Sequence, residues 1–226
     1  DAYFLYGIER VGVASGRKYI GGLDWFRNGA LAVLQAQQAD GAIRLGRWGD
    51  DVVSTAFCAL FLVYGGAPVA FNKLEYGGGQ DWNLNPRDLA NLCKDLWSAY
   101  EQPLNWHSVS ITAPATEFEA PILFLRGSQA VQFKPEELAK LRAYILRGGT
   151  ILAEPSDGSA AFRQSLVALI PQVFPEKEYP SYKLAPLPPT HGLFTVLKQE
   201  WKQRPQLSGV SDGSRTFFFL SEDYLA

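Results

Sequence analysis

Apolar positions recur at helical spacing through the first third of the chain, then give way to short apolar runs separated by polar turns. Tyr3, Phe4, Ile8 and Val11 follow the three-to-four-residue period of a helix. Asp24 offers an N-cap to a second helix that carries Trp25, Phe26, Leu31 and Leu34 inward, and Gln38-Ala39-Asp40-Gly41 closes it with a turn. A third helix begins at Asp50 or Asp51, acids that suit the positive end of a helix dipole, and runs to Tyr64. Three such helices make a thin core. They are expected to pack on the rest of the chain or on helices preceding residue 1.

From Val69 onward strand and helix alternate, which predicts a largely parallel sheet. A strand over 69–76 leads into the loop Gly77-Gly78-Gly79-Gln80-Asp81-Trp82-Asn83, and Pro86 opens a helix that reaches Tyr100. Strands follow over 109–112 and 121–126, the second ending in Gly127-Ser128-Gln129. Pro135-Glu136-Glu137 starts a helix that Gly148-Gly149 terminates. A buried strand over 150–153 breaks into Glu154-Pro155-Ser156-Asp157-Gly158-Ser159, and a helix runs from Ala160 to Ile170. The proline-rich stretch 171–189 reads as an ordered surface excursion, and 215–220 as a last strand.

Composition narrows the function classes. The 226 residues are 47% hydrophobic and 13% aromatic, enough for a packed core and incompatible with global disorder. A net charge of −2 with interspersed signs provides no basic stripe, so no nucleic-acid partner is expected. Cys58 and Cys93 sit in apolar helical patterns and read as buried free thiols; with only His107 and His191 beside them, no metal site is expected. Gly65-Gly66-Ala67-Pro68 interrupts the apolar run from Val52 to Phe71, so no membrane span is expected. No signal peptide is visible, and the chain lacks methionine altogether, so it reads as a piece of a longer protein.

Several segments read together: Ala70-Phe71-Asn72-Lys73-Leu74-Glu75-Tyr76 with the glycine run and Asp81-Trp82-Asn83, Pro86-Arg87-Asp88-Leu89-Ala90-Asn91-Leu92, Ala120-Pro121-Ile122-Leu123-Phe124-Leu125, Leu141-Arg142-Ala143-Tyr144, Gly148-Gly149-Thr150-Ile151-Leu152-Ala153 and Pro188-Pro189-Thr190-His191. Together they resemble a bacterial family, domain of unknown function 4159. The resemblance implies a flavodoxin-like three-layer αβα sandwich, similar to class I glutamine-amidotransferase-like and trehalose-utilisation-like folds, in an exported or envelope-associated setting. Gln38-Ala39-Asp40-Gly41-Ala42-Ile43 is similar to the turn of prenyltransferase and squalene-cyclase-type α/α toroids, with Ile43 replacing the aromatic residue. Three helices cannot enclose a toroid's cavity, so no cyclase chemistry is transferred.

In amidotransferase-like enzymes this strand ends in a Gly-x-Cys-x-Gly elbow. Here Ser156 stands at the nucleophile position, Gly158 keeps the second glycine and Glu154 replaces the first. No thiolate is available there, and a serine version needs a base, for which His191 is the candidate. The opposing reading makes Ser156 or Asp157 an ordinary helix cap. Gly78 and Gly79 could cradle a phosphate or form a flexible loop; the run lacks both P-loop and dinucleotide spacing. Asp81, Trp82, Asn83 and Arg87 could form a recognition surface with Trp82 as a flat platform, or Trp82 could pack inward. Gly127, Ser128 and Gln129 should face the same crevice as Glu154, Asp157 and Ser159. Trp97, Trp106 and Trp201 read as core or domain-contact residues.

The expectation is therefore an α/β three-layer sandwich over 69–226 preceded by a small helical region over 1–68. The favoured function is a non-catalytic module of a larger bacterial, envelope-associated protein, which binds a protein, small molecule or glycan without a cofactor in the crevice formed by the Gly77–Asn83, Gly127–Gln129 and Glu154–Ser159 loops. The alternatives are a serine-dependent hydrolase using Ser156 and His191, and a purely structural role with a self-filled crevice.

Overall fold

The computed structural model describes residues 1–46, 50–196, 201 and 204–222. In chain order the elements are α1 (Ala2–Ser15), β1 (Tyr19–Ile20), β2 (Leu23–Asp24), α2 (Trp25–Ala36), α3 (Asp51–Gly65), β3 (Val69–Glu75), α4 (Asp88–Tyr100), β4 (Asn105–Ser110), β5 (Ile122–Gly127), α5 (Pro135–Leu146), β6 (Thr150–Pro155), α6 (Ala160–Val173), β7 (Ala185–Pro186), α7 (Gly192–Thr195), β8 (Leu207–Ser211) and β9 (Thr216–Ser221). Helices flank a seven-stranded mixed sheet of order β4-β3-β5-β6-β9-β8-β7, a three-layer α/β sandwich. The chain groups into two compact units: Asp1–Phe71 with Pro86–Ser108, and Asn72–Asn85 with Val109–Ala226.

In the first unit Asp24 caps α2 by accepting the Arg27 N–H at 2.9 Å, and Asp50 caps α3 through Val52. Trp25, Val33, Ile43, Cys58 and Phe61 form its core, and Trp25 Nε1 donates to Arg17 O at 2.6 Å. Leu31 and Leu34, expected inward, are 50% and 63% exposed, and Tyr3, Phe4 and Val11 also face outward. Each helix packs one stripe inward, through Ala2, Leu5 and Ile8, through Trp25, Phe26 and Val33, and through Cys58, Phe61 and Leu62, and the exposed apolar positions lie off those stripes. Asn105 stitches the entry to β4, its amide nitrogen donating to Tyr64 O at 2.8 Å. Trp106 is buried as expected, whereas Trp97 is partly exposed and meets Tyr64 edge-on. Pro86 lies in a turn two residues before α4 and not in its first turn.

In the second unit β5, β6 and β9 run parallel, with Leu123 opposite Ile151 and Ile151 opposite Phe218. The sheet is less parallel than its pattern suggests, because β8 pairs antiparallel with β9, and β7 antiparallel with β8. Leu123, Leu125, Ile151, Ala153, Phe162, Leu166, Val210 and Leu220 are fully buried, which explains why β5 and β6 read as unbroken apolar runs. Strand β6 continues two residues past its apolar run through Glu154 and Pro155. Part of the proline-rich segment also joins regular structure: α6 extends through Pro171 to Val173, and Ala185–Pro186 becomes the outermost strand. Tyr179 and Tyr182 fold back against Phe174, with ring centroids 5.0 and 5.1 Å away. Trp201, beyond it, is partly exposed and donates Nε1 to Phe194 O at 3.1 Å.

Candidate functional site

The carboxyl ends of β3, β5 and β6 meet in one interlocked group of side chains. After β3 the exposed glycines Gly77, Gly78 and Gly79 lead into a single 3-10 turn, Asp81–Asn83. Two things anchor that turn. Trp82 is buried in the core and so is no platform for a ligand; buried Lys73 donates Nζ to Asn83 Oδ1 at 3.1 Å and to Asn85 O at 2.8 Å. The lysine also lies 5.9 Å above the Trp82 ring.

Anchored in this way, Asp81 projects its carboxylate onto the loop after β5. It accepts the Ser128 N–H at 2.9 and 3.0 Å, the Gln129 N–H at 3.1 Å and the Ser128 hydroxyl. Burial disfavours its charge, but these donors outweigh that cost and hold the group below the ordinary aspartate range. The Tyr76 hydroxyl approaches at 3.4 Å, yet its one proton goes to Arg126 O at 2.7 Å. Gly127 is required here, since a Cβ would lie 2.0 Å from Tyr76 Oη and 2.6 Å from Asp81 Oδ2. The two main-chain amides of this loop thus form a small anion nest, and the protein fills it with its own carboxylate.

The loop after β6 is tied to the same group. Arg126, 1% exposed, donates Nε to Ser156 Oγ at 3.1 Å and stands 3.8 Å from Glu154 Oε1. Ser156 is itself 1% exposed. Its backbone is not strained: the left-handed conformation falls on Asp157, at φ 50° and ψ 30°, and on Gly158. The helix cap proves to be Ser159 and neither Ser156 nor Asp157; its hydroxyl accepts the Phe162 N–H and donates to Ser128 O. Ser156 is occupied by the arginine instead.

Asp81, Gly127, Ser128, Gln129, Glu154, Ser156 and Ser159 are therefore brought together, while Asp157, Gly78 and Gly79 remain at the exposed margin. Arg87 lies exposed ahead of α4, in the first unit. His191 is not assembled with Ser156. Its Nε2 bonds Thr216 Oγ1 at 3.0 Å, and Thr216 lies two residues before Phe218, whose partner Ile151 stands five positions before Ser156. At roughly 3.3 Å per residue, that separates histidine and serine by about 20 Å. A guanidinium has no lone pair to take a proton, so the group bonded to Ser156 cannot activate it.

Three residues at the crevice were not among the expected site residues: Tyr76 and Lys73, which stand in a segment that carries the family resemblance, and Arg126. The last had a visible signal, a charge closing the apolar run Ile122-Leu123-Phe124-Leu125. Among the described residues no group of three or more His, Cys, Asp or Glu could hold a metal, and no helix is long and apolar enough to cross a membrane. Cys58 and Cys93 are buried free thiols, and burial pushes the Cys93 thiol up to about 12.

A family model described as a domain of unknown function (DUF4159) matches residues 70–215. None of the curated proteins compared with the chain matches it.

Proposed function

The chain belongs to the DUF4159 family, and from that premise we propose that it is a non-catalytic ligand-binding or protein-interaction module of a larger bacterial protein. One observation supports the non-catalytic part of the reading: the crevice where an amidotransferase-like sandwich would perform chemistry is filled by the protein's own side chains, as the structural role also expects, so a ligand or partner of the module would bind elsewhere on it. Asp81 takes the amide donors that would otherwise face a ligand anion or developing oxyanion, and Ser156 is buried on Arg126. The elbow likeness of Glu154-Pro155-Ser156-Asp157-Gly158 goes no further than residue order, because the strained backbone position is Asp157.

Treatment with a serine-reactive fluorophosphonate, read by peptide mass spectrometry beside Ser156→Ala, tests this. No modification of the folded protein at Ser156 is expected. Stoichiometric labelling at Ser156 that the alanine variant loses would overturn the reading in favour of a hydrolase.

A further inference from the structure

The segment Pro188-Pro189-Thr190-His191 plays no part in the crevice. Pro188 and His191 line a separate cleft of about 560 Å³ at the other end of the strands, where Thr216 begins β9 and Ser211 ends β8. Small-molecule sites occupy roughly 300–1,000 Å³. Lys183, His191 and Arg215 line it beside the hydroxyls of Ser181, Ser211 and Thr216, and among the described residues its lining contains no carboxylate.

The donors are preset. His191 Nδ1 accepts the Leu193 N–H at 3.1 Å, so Nε2 carries the ring proton and donates it to Thr216 Oγ1 at 3.0 Å. The Thr216 hydroxyl keeps its own proton for a ligand. Arg215 is braced by Ile145 O, Gly149 O and Thr150 Oγ1, which use three of its five N–H groups and fix its charge in place. Lys183 pairs with Glu176 at 3.4 Å, but both side chains are largely exposed and water and salt separate such a pair readily. Asp212, next to Ser211 in the chain, accepts the Ser214 N–H, the Ser214 hydroxyl and the Arg215 N–H, all at Oδ1, and is not among the residues that line the cleft. Gly209 lets Thr216 and Leu187 close over β8 at the cleft wall, since a Cβ there would meet Thr216 Cγ2 at 2.7 Å and Leu187 Cδ2 at 2.9 Å.

We propose that this cleft binds a small anionic sugar. Lys183 and Arg215 hold its phosphate or carboxylate, and Thr216 and Ser181 bond its ring hydroxyls. The cleft is too large for a bare oxyanion, and its cation-and-hydroxyl lining suits a charged polyol. This deepens the binding-module reading and rests on it only in expecting no turnover.

Calorimetric titration of the whole chain with glucose 6-phosphate, glucuronate, glucose and inorganic phosphate tests the proposal. At least one anionic sugar should bind saturably and about ten-fold tighter than glucose or inorganic phosphate, and the tighter of the two identifies the anionic group. Lys183→Glu and Thr216→Val should each weaken that binding about ten-fold, and Lys183→Glu should do so without moving the melting temperature of the unliganded protein. No saturable binding at millimolar concentrations overturns the proposal, as does binding that neither variant alters or that glucose or phosphate alone reproduces. Release of phosphate from the sugar would overturn the non-catalytic reading and leave the cleft standing. Absent binding would do the reverse.

Discussion

Asp81 is the residue on which the crevice depends. Two amides and a hydroxyl converge on it, and hydrogen bonds to a charged acceptor contribute about 1.5–3 kcal/mol when buried, less for a half-exposed group. Asp81→Asn should therefore lower stability by about 1–2 kcal/mol in urea unfolding. The pH dependence follows from the lowered folded value: the carboxylate's contribution is complete above the unfolded aspartate value of 3.8 and disappears as pH falls through the lower folded one. The gap between wild type and Asp81→Asn should thus narrow only below that point; a gap that closes near neutral pH would rule this origin out. Little of this was legible beforehand. Asp81, Ser128 and Gln129 were marked as facing one crevice, but that they satisfy one another depends on side-chain directions that Trp82 and Lys73 fix from the core. His191 illustrates the converse, because no local pattern tells which end of a sheet a proline-rich segment reaches.

At the scale of elements, helices were the readable part. The Asp24 and Asp50 caps and Pro135 at the head of α5 are local signals that the structure uses, and the periods located the helices although Tyr3, Phe4, Val11, Leu31 and Leu34 face outward. Strands β7 and β8 were missed for physical reasons. Leu207–Ser211 is short with a central glycine, and Ala185–Pro186 contains a residue normally excluded from sheets. Pro186 is tolerated because of its register. Leu187 N donates to Leu207 O, so the Pro186 nitrogen faces away from β8 and out of the sheet. There it removes a donor that could recruit another strand. Replacement by valine restores that N–H, and Pro186→Val should show concentration-dependent light scattering that the parent lacks at equal concentration; equal scattering would mean the edge is protected otherwise.

For the molecule as a whole, the sheet order carries a consequence for synthesis. β9 is the last of the described strands along the chain, yet it lies inside the sheet between β6 and β8. Until it emerges, β7 and β8 have no partner joining them to the other strands, and the free side of β6 lies bare, with buried Ile151 and Ala153 flanking it. A chain cut after Ser214 should consequently fail to form a protease-resistant second unit, however intact its first 214 residues, and pulse proteolysis would register this as loss of the protected band. On the ribosome the same order makes the assembly of this unit a late event. Residues 216–221 must clear the exit tunnel before the earlier strands can close, so a slow codon or stalled chain just upstream would hold an unfinished edge open to neighbouring nascent chains.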